Sequence, residues 1–362
     1  MTDGLATTDE THIRIAKAHA AGDVVLDRVE TLNALTDDMR AALKAALPDF
    51  ARDPVIYAMV IRSASAKAFS AGGDVRQLVA QAKTDPAGAR ASFAAEYALN
   101  WALECFSKPT VSLIDGMIAG SGVGLSLYGT HRVAGPGYRF AMPEVQIGLF
   151  PDVGVCHALS RMPDEIGTYL ALTGHFIGRA DALALGLATH ALPAAGLTKT
   201  FEALSDAEPV DILLDGLSED AGAPELLPHR EKLAAWFAGD DVREIRERIA
   251  FAAPSDPFAA SCLGAIDAAA PLSLVVTLKH LRETTSRDLR ETLIADYRLA
   301  CGFLAAPDFA EGVRAQLIDK DKTPSWRPQT LAESGDADLA PYFDPPADGD
   351  LDLPTRAELQ SA

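Results

Sequence analysis

Twice between Tyr57 and Leu127 an apolar run of strand length gives way to a cluster of glycines and then to a helical pattern, which leaves few folds open. The first run, Tyr57 to Ser63, leads through Ala68-Phe69-Ser70-Ala71-Gly72-Gly73-Asp74 into a helix beginning near Val75. The second, Thr110 to Ile114, passes the Asp115-Gly116 turn and reaches Gly120-Ser121-Gly122-Val123-Gly124 before a helix-like run to Leu127. Strands alternating with helices specify an α/β chain. At a strand-to-helix turn, backbone N–H groups are left without ladder partners and point outward at the positive end of a helix, where an anion is stabilised. One such turn has a purely steric explanation, because glycine relieves crowding. Two can supply opposed donors for a developing oxyanion.

A third segment, Met142 to Gly154, sets Glu144 and Asp152 eight residues apart among apolar, Gly and Pro neighbours. Carboxylates half-buried in such surroundings have their ionised form disfavoured and become proton donors or acceptors near neutral pH. Taken alone, the two residues read equally well as turn or capping carboxylates. Two glycine turns together with this pair match the parts needed for acyl chemistry.

These residues resemble the enoyl-CoA hydratase/isomerase, or crotonase, superfamily, and within it the branch that hydrolyses 3-hydroxyisobutyryl-CoA. The similarity runs through Ala68 to Asp74, Glu96-Tyr97-Ala98-Leu99-Asn100, Gly120 to Ser126, Phe140 to Gly154 and Leu172-Thr173-Gly174. It resumes at Phe309 to Pro324, a segment specific to the hydrolase branch. The resemblance implies a crotonase-like spiral of β-β-α repeats and a thioester carbonyl seated between the N–H groups of Gly73 and Ser121, which would form the oxyanion hole. It also implies that Glu144 is the catalytic glutamate and Asp152 the second acidic residue of the hydrolase branch. Gly72, Gly122 and Glu96 would contact the substrate, Glu96 near the hydroxyl end of the acyl group. Without the resemblance Glu96 reads as an ordinary helix-surface residue. The implied reaction is hydrolysis of a short 3-hydroxyacyl-CoA, 3-hydroxyisobutyryl-CoA of valine breakdown foremost. Glu144 would either attack the carbonyl to give an anhydride or activate water. The implied set contains no metal and no cofactor, CoA being part of the substrate.

Within the family, a hydratase needs a further glutamate where this chain has Gly124. Hydration is therefore disfavoured, and double-bond isomerisation by one carboxylate is the alternative enzyme reading. A reading of another class is a CoA-ester binding subunit without catalysis, since fold does not fix function. The chain departs from the hydrolase pattern at Ser121, where glycine is usual, and at Val155-Cys156, where further glycines are usual. Cys156 also has to be weighed as a nucleophile, but no His stands in a recognisable relation to it apart from the adjacent His157.

The order of signals divides the chain into a flexible N-terminus (1–11), an α/β core (12–200), a helical C-terminal region (201–328) and an acidic Pro/Gly-rich tail (329–362). Expected elements include strands at Ile13 to Ala16 and Val24 to Leu26, and a helix from Thr36 to Phe50 capped by Thr36. Asp85-Pro86 should open a long helix carrying Glu96, and Met162-Pro163-Asp164-Glu165 another, each with Pro at the first helical position. Amphipathic helices follow at Glu231 to Phe237, Val242 to Phe251, Leu272 to Thr284 and Leu289 to Leu304. The tail is expected to add length and solubility rather than chemistry.

With 32 basic against 51 acidic residues and a net charge of −19, no basic surface for nucleic acid is expected. The polyanionic CoA must then meet a local patch, for which Arg62, Lys67, Arg76, Lys279 and Arg282 are the candidates. No apolar run approaches the length of a membrane span, and Met1 to Thr11 lacks the order of a signal peptide, so the expected location is the cytoplasm. The partner expected is an acyl-CoA, with neither nucleic acid nor membrane, and a homo-oligomer is left open.

Overall fold

The computed structural model describes residues 12–335 and 337–361. The expectation for residues 1–11 therefore lies outside the described residues. Among the described residues ten strands form: β1 (Ile13–Ala18), β2 (Ala21–Leu26), β3 (Ala58–Ser63), β4 (Ala68–Ser70), β5 (Thr110–Ile114), β6 (Met117–Ala119), β7 (His131–Ala134), β8 (Arg139–Ala141), β9 (Ile177–Gly178) and β10 (His190–Ala191). They sort into two sheets, ordered β1-β2-β3-β5-β7-β10 and β4-β6-β8-β9. β1 pairs antiparallel with β2, and the rest of the larger sheet is parallel. Three consecutive strand pairs, β3 with β4, β5 with β6 and β7 with β8, each send their first strand to the larger sheet and their second to the smaller. This repeat is the spiral of β-β-α turns, a mixed α/β architecture.

Short turns enforce the change of sheet. Between β5 and β6, Asp115 Oδ1 accepts from the N–H groups of Gly116, at 3.1 Å, and Gly137, at 2.6 Å. A Cβ on Gly116, whose φ is +79°, would stand 2.4 Å from Lys67 O, so glycine is required where two turns of the spiral touch.

The central parallel strands are covered on both faces and are largely apolar. In β3, Ala58 and Val60 join Val111, Val133, Leu204 and Leu214 on one face. Met59 and Ile61 enter the larger core on the other, with Leu26, Phe69, Ile114 and Phe140.

The helix Asp37–Arg52 is capped by Thr36, whose side chain accepts from Met39 N–H at 3.2 Å. The helix Pro86–Glu104 begins with Pro at its first position and is capped by Asp85. The Met162-Pro163 segment differs from expectation. Its helix is Ile166–Thr173, preceded by Asp164 and Glu165 with φ of +59° and +56°. Glu165 is drawn to Arg282 of a distant helix at 2.9 Å and accepts from Thr168, so a tertiary ion pair sets the boundary that Pro163 was expected to set.

Beyond β10 the described residues are helical or irregular, with helices including Arg230–Trp236, Val242–Ala252, Pro271–Thr284 and Leu289–Ala305. The tail does more than add length. Tyr342 packs edge-on against Phe303 at 4.8 Å, Leu353 is buried, and Trp101 Nε1 donates to Pro354 O at 2.7 Å. No single helix among the described residues is long and apolar enough to cross a membrane.

Candidate active site

Because β4, β6 and β8 are parallel neighbours, their carboxyl ends lie side by side, the edge of such a sheet where ligands settle. β4 releases Ala71 to Asp74, β6 releases Gly120 and Ser121, and β8 releases Met142 to Glu144. With the helix Pro86–Glu104 and the turn at Asp152 they enclose a cavity of about 300 Å³. The cavity brings together Gly72, Gly73, Glu96, Ser121, Glu144 and Asp152. Gly122 is not among its walls: a Cβ there would stand 2.7 Å from Ser70 Cβ, so it faces β4. Its expected contact with substrate finds no support in this placement.

The two glycine turns abut. A Cβ on Gly72, whose φ is +113°, would lie 3.7 Å from Gly120 Cα and 3.8 Å from Ser121 N. Neighbouring peptide groups are consumed by structure, with Leu35 N–H donating to Gly72 O at 2.8 Å and Asp74 N–H to Leu35 O at 2.9 Å. Among the described residues the N–H groups of Gly73 and Ser121 have no acceptor, which leaves both to a ligand.

Glu144 sits in the turn Glu144–Ile147 and is 6% exposed. A Cβ on Gly120, where φ is +48°, would stand 2.9 Å from Glu144 Oε1, so only glycine lets the carboxylate approach the second loop. Glu144 Oε2 is buried without a hydrogen-bond partner. Burial pushes the carboxyl up to about 8, a hydrogen bond from its own N–H opposes this, and the charge of Glu96 adds to the rise. Asp152, likewise buried, is pushed well above the carboxylate range by burial and then by Glu96, Glu144 and Asp296. Its Oδ2 accepts from the Tyr97 hydroxyl at 2.9 Å, which opposes the rise. Two buried carboxyls whose neutral forms are favoured thus share the cavity with two free N–H donors.

The family model described as enoyl-CoA hydratase/isomerase matches residues 21–343, most of the length of the chain. The chain belongs to the enoyl-CoA hydratase/isomerase family. It is 37% identical over 346 residues to the mitochondrial 3-hydroxyisobutyryl-CoA hydrolase of Rattus norvegicus, covering 93% of this chain and 89% of that one. Against the mitochondrial 3-hydroxyisobutyryl-CoA hydrolase of Homo sapiens it is 36% identical over 349 residues, covering 94% and 90%. A crystal structure of a carnitinyl-CoA dehydratase from Mycobacterium thermoresistibile superposes with a TM-score of 0.88 at 34% identity, covering 94% of this chain and 98% of that one. One of an enoyl-CoA hydratase from Rhodobacter sphaeroides gives 0.87 at 34% identity, covering 94% and 100%.

In this enoyl-CoA hydratase/isomerase family member the expected site gains Arg40, which has no local sequence signal. Thr36 caps its helix, and the resulting direction brings Arg40 Nη1 to 3.5 Å from Glu96 Oε2 and Nη2 to 2.5 Å from Asp37 Oδ1. Burial opposes its charge, but Glu96 and then Asp37 hold the guanidinium above its ordinary value. Arg40 is the one Lys or Arg lining the cavity among the described residues. None of the five basic residues expected to meet CoA lines it: Arg62 pairs with Asp23, Lys279 with Glu283, and Arg282 with Glu165. Replacing Arg40 by Met strands Glu96 without its cation. The expected loss of stability is about 3 kcal/mol, typical of breaking a buried pair, with a raised KM for the acyl ester, read by denaturant unfolding and steady-state kinetics.

Gln316 and Leu317, from the π-helical turn Arg314–Ile318, also line the cavity, so the helical region closes a site that the spiral opens. Cys156 is fully buried, donates to Pro151 O at 3.2 Å, and has its thiol pushed well up by burial, the reverse of an activated nucleophile. Among the described residues no group of three or more His, Cys, Asp or Glu could hold a metal ion.

Proposed function

We propose that this protein hydrolyses the thioester of a short 3-hydroxyacyl-CoA, 3-hydroxyisobutyryl-CoA foremost, and so serves valine breakdown. One observation carries the reading: Glu144 and Asp152 share a largely buried cavity with the unpartnered N–H groups of Gly73 and Ser121. The thioester oxygen takes both N–H bonds and its charge grows as the carbonyl becomes tetrahedral; each such donor is worth about 10² to 10³ in rate. Ionised Glu144 either attacks the carbonyl carbon, expelling CoA thiolate and leaving an anhydride that water then hydrolyses, or removes a proton from the attacking water; in both routes a proton from the water ends on the departing sulfur, so CoA leaves as its thiol. Glu96, oriented by Arg40, and Asp152, oriented by Tyr97, receive the hydroxyl end of the acyl group and relay protons. Hydration is further disfavoured at Gly124, where a Cβ would stand 2.5 Å from Asn100 Nδ2 and 2.9 Å from Val153 Cβ, leaving no room for a second glutamate.

The reading needs no cofactor beyond the CoA of the substrate. A cytoplasmic location and a homo-oligomer belong to the same proposal, to be tested by fractionation and by sedimentation, the curated relatives carrying mitochondrial names. The deciding experiment follows free thiol from 3-hydroxyisobutyryl-CoA beside crotonyl-CoA and a 3-enoyl-CoA. Release from the hydroxyacyl ester alone supports hydrolysis. Double-bond loss or migration without thiol moves the protein to the hydratase or isomerase branch, and tight binding without any reaction makes it a CoA-ester binder. In H₂¹⁸O, a single turnover that labels the Glu144 carboxylate identifies the anhydride route.

Ser121 lines the cavity beside Gly73, its Oγ 2.9 Å from where a Cβ on Gly73 would be, so its side chain takes up room there. Ser121→Gly keeps the N–H donor. It is expected to raise kcat/KM for bulkier α-branched esters about 10-fold, the scale of a methylene-sized change in a pocket, measured against the unbranched hydroxyacyl ester.

A further inference from the structure

The buried pair Asp296 and His280 has no part in the reaction as derived, yet it grips the turn that carries Asp152. His280 Nε2 lies 2.8 Å from Asp296 Oδ1, and both side chains are 0% exposed. The other carboxylate oxygen, Oδ2, accepts the N–H of Gly154 at 2.6 Å. The Tyr128 hydroxyl donates to the Gly154 carbonyl, so both peptide groups of this residue are held. A Cβ on Gly154, with φ of +75°, would stand 2.7 Å from Leu289 Cδ1 and 3.2 Å from Leu293 Cδ2, so the helix Leu289–Ala305 lies directly against the turn. On the other side of Asp152, Phe150 stacks edge-on with His280 at 5.8 Å between ring centres.

Val153, between the gripped glycine and Asp152, shows why a grip is needed. Its φ is +53°, a left-handed conformation that a β-branched residue adopts only where its surroundings over-determine it. Released, the turn relaxes toward an ordinary conformation and carries the Asp152 carboxylate with it. We infer that Asp296, braced by His280, is a positioning residue that holds the strained turn at Val153 and thereby fixes Asp152 against the acyl group. The inference rests on the reading of Asp152 as a working carboxylate.

The groups that face Asp152 are Tyr97 and Glu96 from the helix Pro86–Glu104, Glu144 from its turn, Arg40 from the helix Asp37–Arg52, and Asp296 itself. Asp296 in turn faces His280, Tyr128, Tyr97 and Cys156.

The test uses the full chain with Asp296→Ala and Asp296→Asn. The asparagine still offers an oxygen to the Gly154 N–H, whereas alanine offers nothing. On 3-hydroxyisobutyryl-CoA, alanine is expected to lower kcat about 10- to 100-fold with little change in KM, the scale of a small misplacement of a working group. Asparagine is expected to recover most of kcat. Equal losses in both variants, or losses that follow the unfolded fraction seen by circular dichroism, overturn the inference. Hydrogen exchange at the Gly154 amide is read on the resting protein and needs no turnover. Acceleration with alanine and protection with asparagine support the clamp even if no substrate is hydrolysed, and unchanged exchange in both variants overturns it. Absence of thiol release from the unaltered protein counts against the proposed reaction and leaves this second arm intact.

Discussion

Glu144→Gln is expected to lower thiol release from 3-hydroxyisobutyryl-CoA by at least about 10³-fold, within the range for loss of a general base or more if the carboxylate is a nucleophile. The amide keeps the shape of the side chain, so binding of the CoA ester should persist, as measured by calorimetry. Substantial turnover in the variant would sink the assignment of Glu144. The same carboxyl sets the pH dependence. Its pKa is about 8, so below that value most of the free protein holds Glu144 protonated and unreactive. Second-order rates should rise about tenfold per pH unit up to that region and then level. A flat profile between pH 6 and 8 would contradict the burial that raises the group.

Stability must run the other way. A carboxyl whose folded pKa is raised binds its proton more tightly when folded, so its contribution to stability is complete below the ordinary carboxylate range. That contribution is lost as pH climbs from that range to about 8. Glu144→Gln removes this loss, and the variant should be the more stable protein at pH 8 to 9. This is the trade of stability for activity expected at a strained site. Denaturant unfolding at two pH values checks the sign directly.

The second large effect is structural. The turn Glu144–Ile147 and the helix Pro307–Val313 meet backbone to backbone, with glycine on both sides. A Cβ on Gly312 would stand 2.3 Å from Ile147 O, and one on Gly148, where φ is +72°, would stand 2.3 Å from Asp308 O. Gly312→Leu therefore forces apart two main chains that have no side chain to yield. A cost of roughly 3 kcal/mol or more is expected, at or beyond the upper end for overpacking, together with a lower kcat, because Glu144 rides on the displaced turn. Wild-type stability in this variant would show that the contact is not what holds the turn. The segment Phe309 to Pro324, singled out in the sequence by resemblance alone, thus acquires a physical role, since it braces Glu144 and supplies Gln316 and Leu317 to the cavity.

Much of this was legible in the chain. Apolar runs locate β1, β2, β3, β5 and the longer helices to within a few residues, because burial imposes its pattern locally, whereas the short β4 and β6 read as part of the glycine turns and β8 does not read as a strand. The glycines at 72 and 120 mark real constraints on backbone angle, and those at 73 and 124 sit at close approaches to neighbouring side chains. The pairing of Glu144 with Asp152 was visible as two carboxylates in apolar company. What was not legible depends on contacts between distant segments. Arg40 gives no local sign of meeting Glu96, Gly122 looks like its neighbours yet turns to Ser70, and Glu165 moves a helix boundary by pairing with Arg282.

The sequence by itself determined the α/β class, the two glycine turns, the two carboxylates and their family, since each is set by residues close together in the chain. Only the tertiary structure decided that β4, β6 and β8 end side by side, that Glu144 loses water and so titrates near 8, and that a helical region far downstream closes the cavity and grips the Asp152 turn. Desolvation and close packing are properties of what surrounds a residue in space, and the surroundings of these carboxylates come from stretches of chain far apart in sequence.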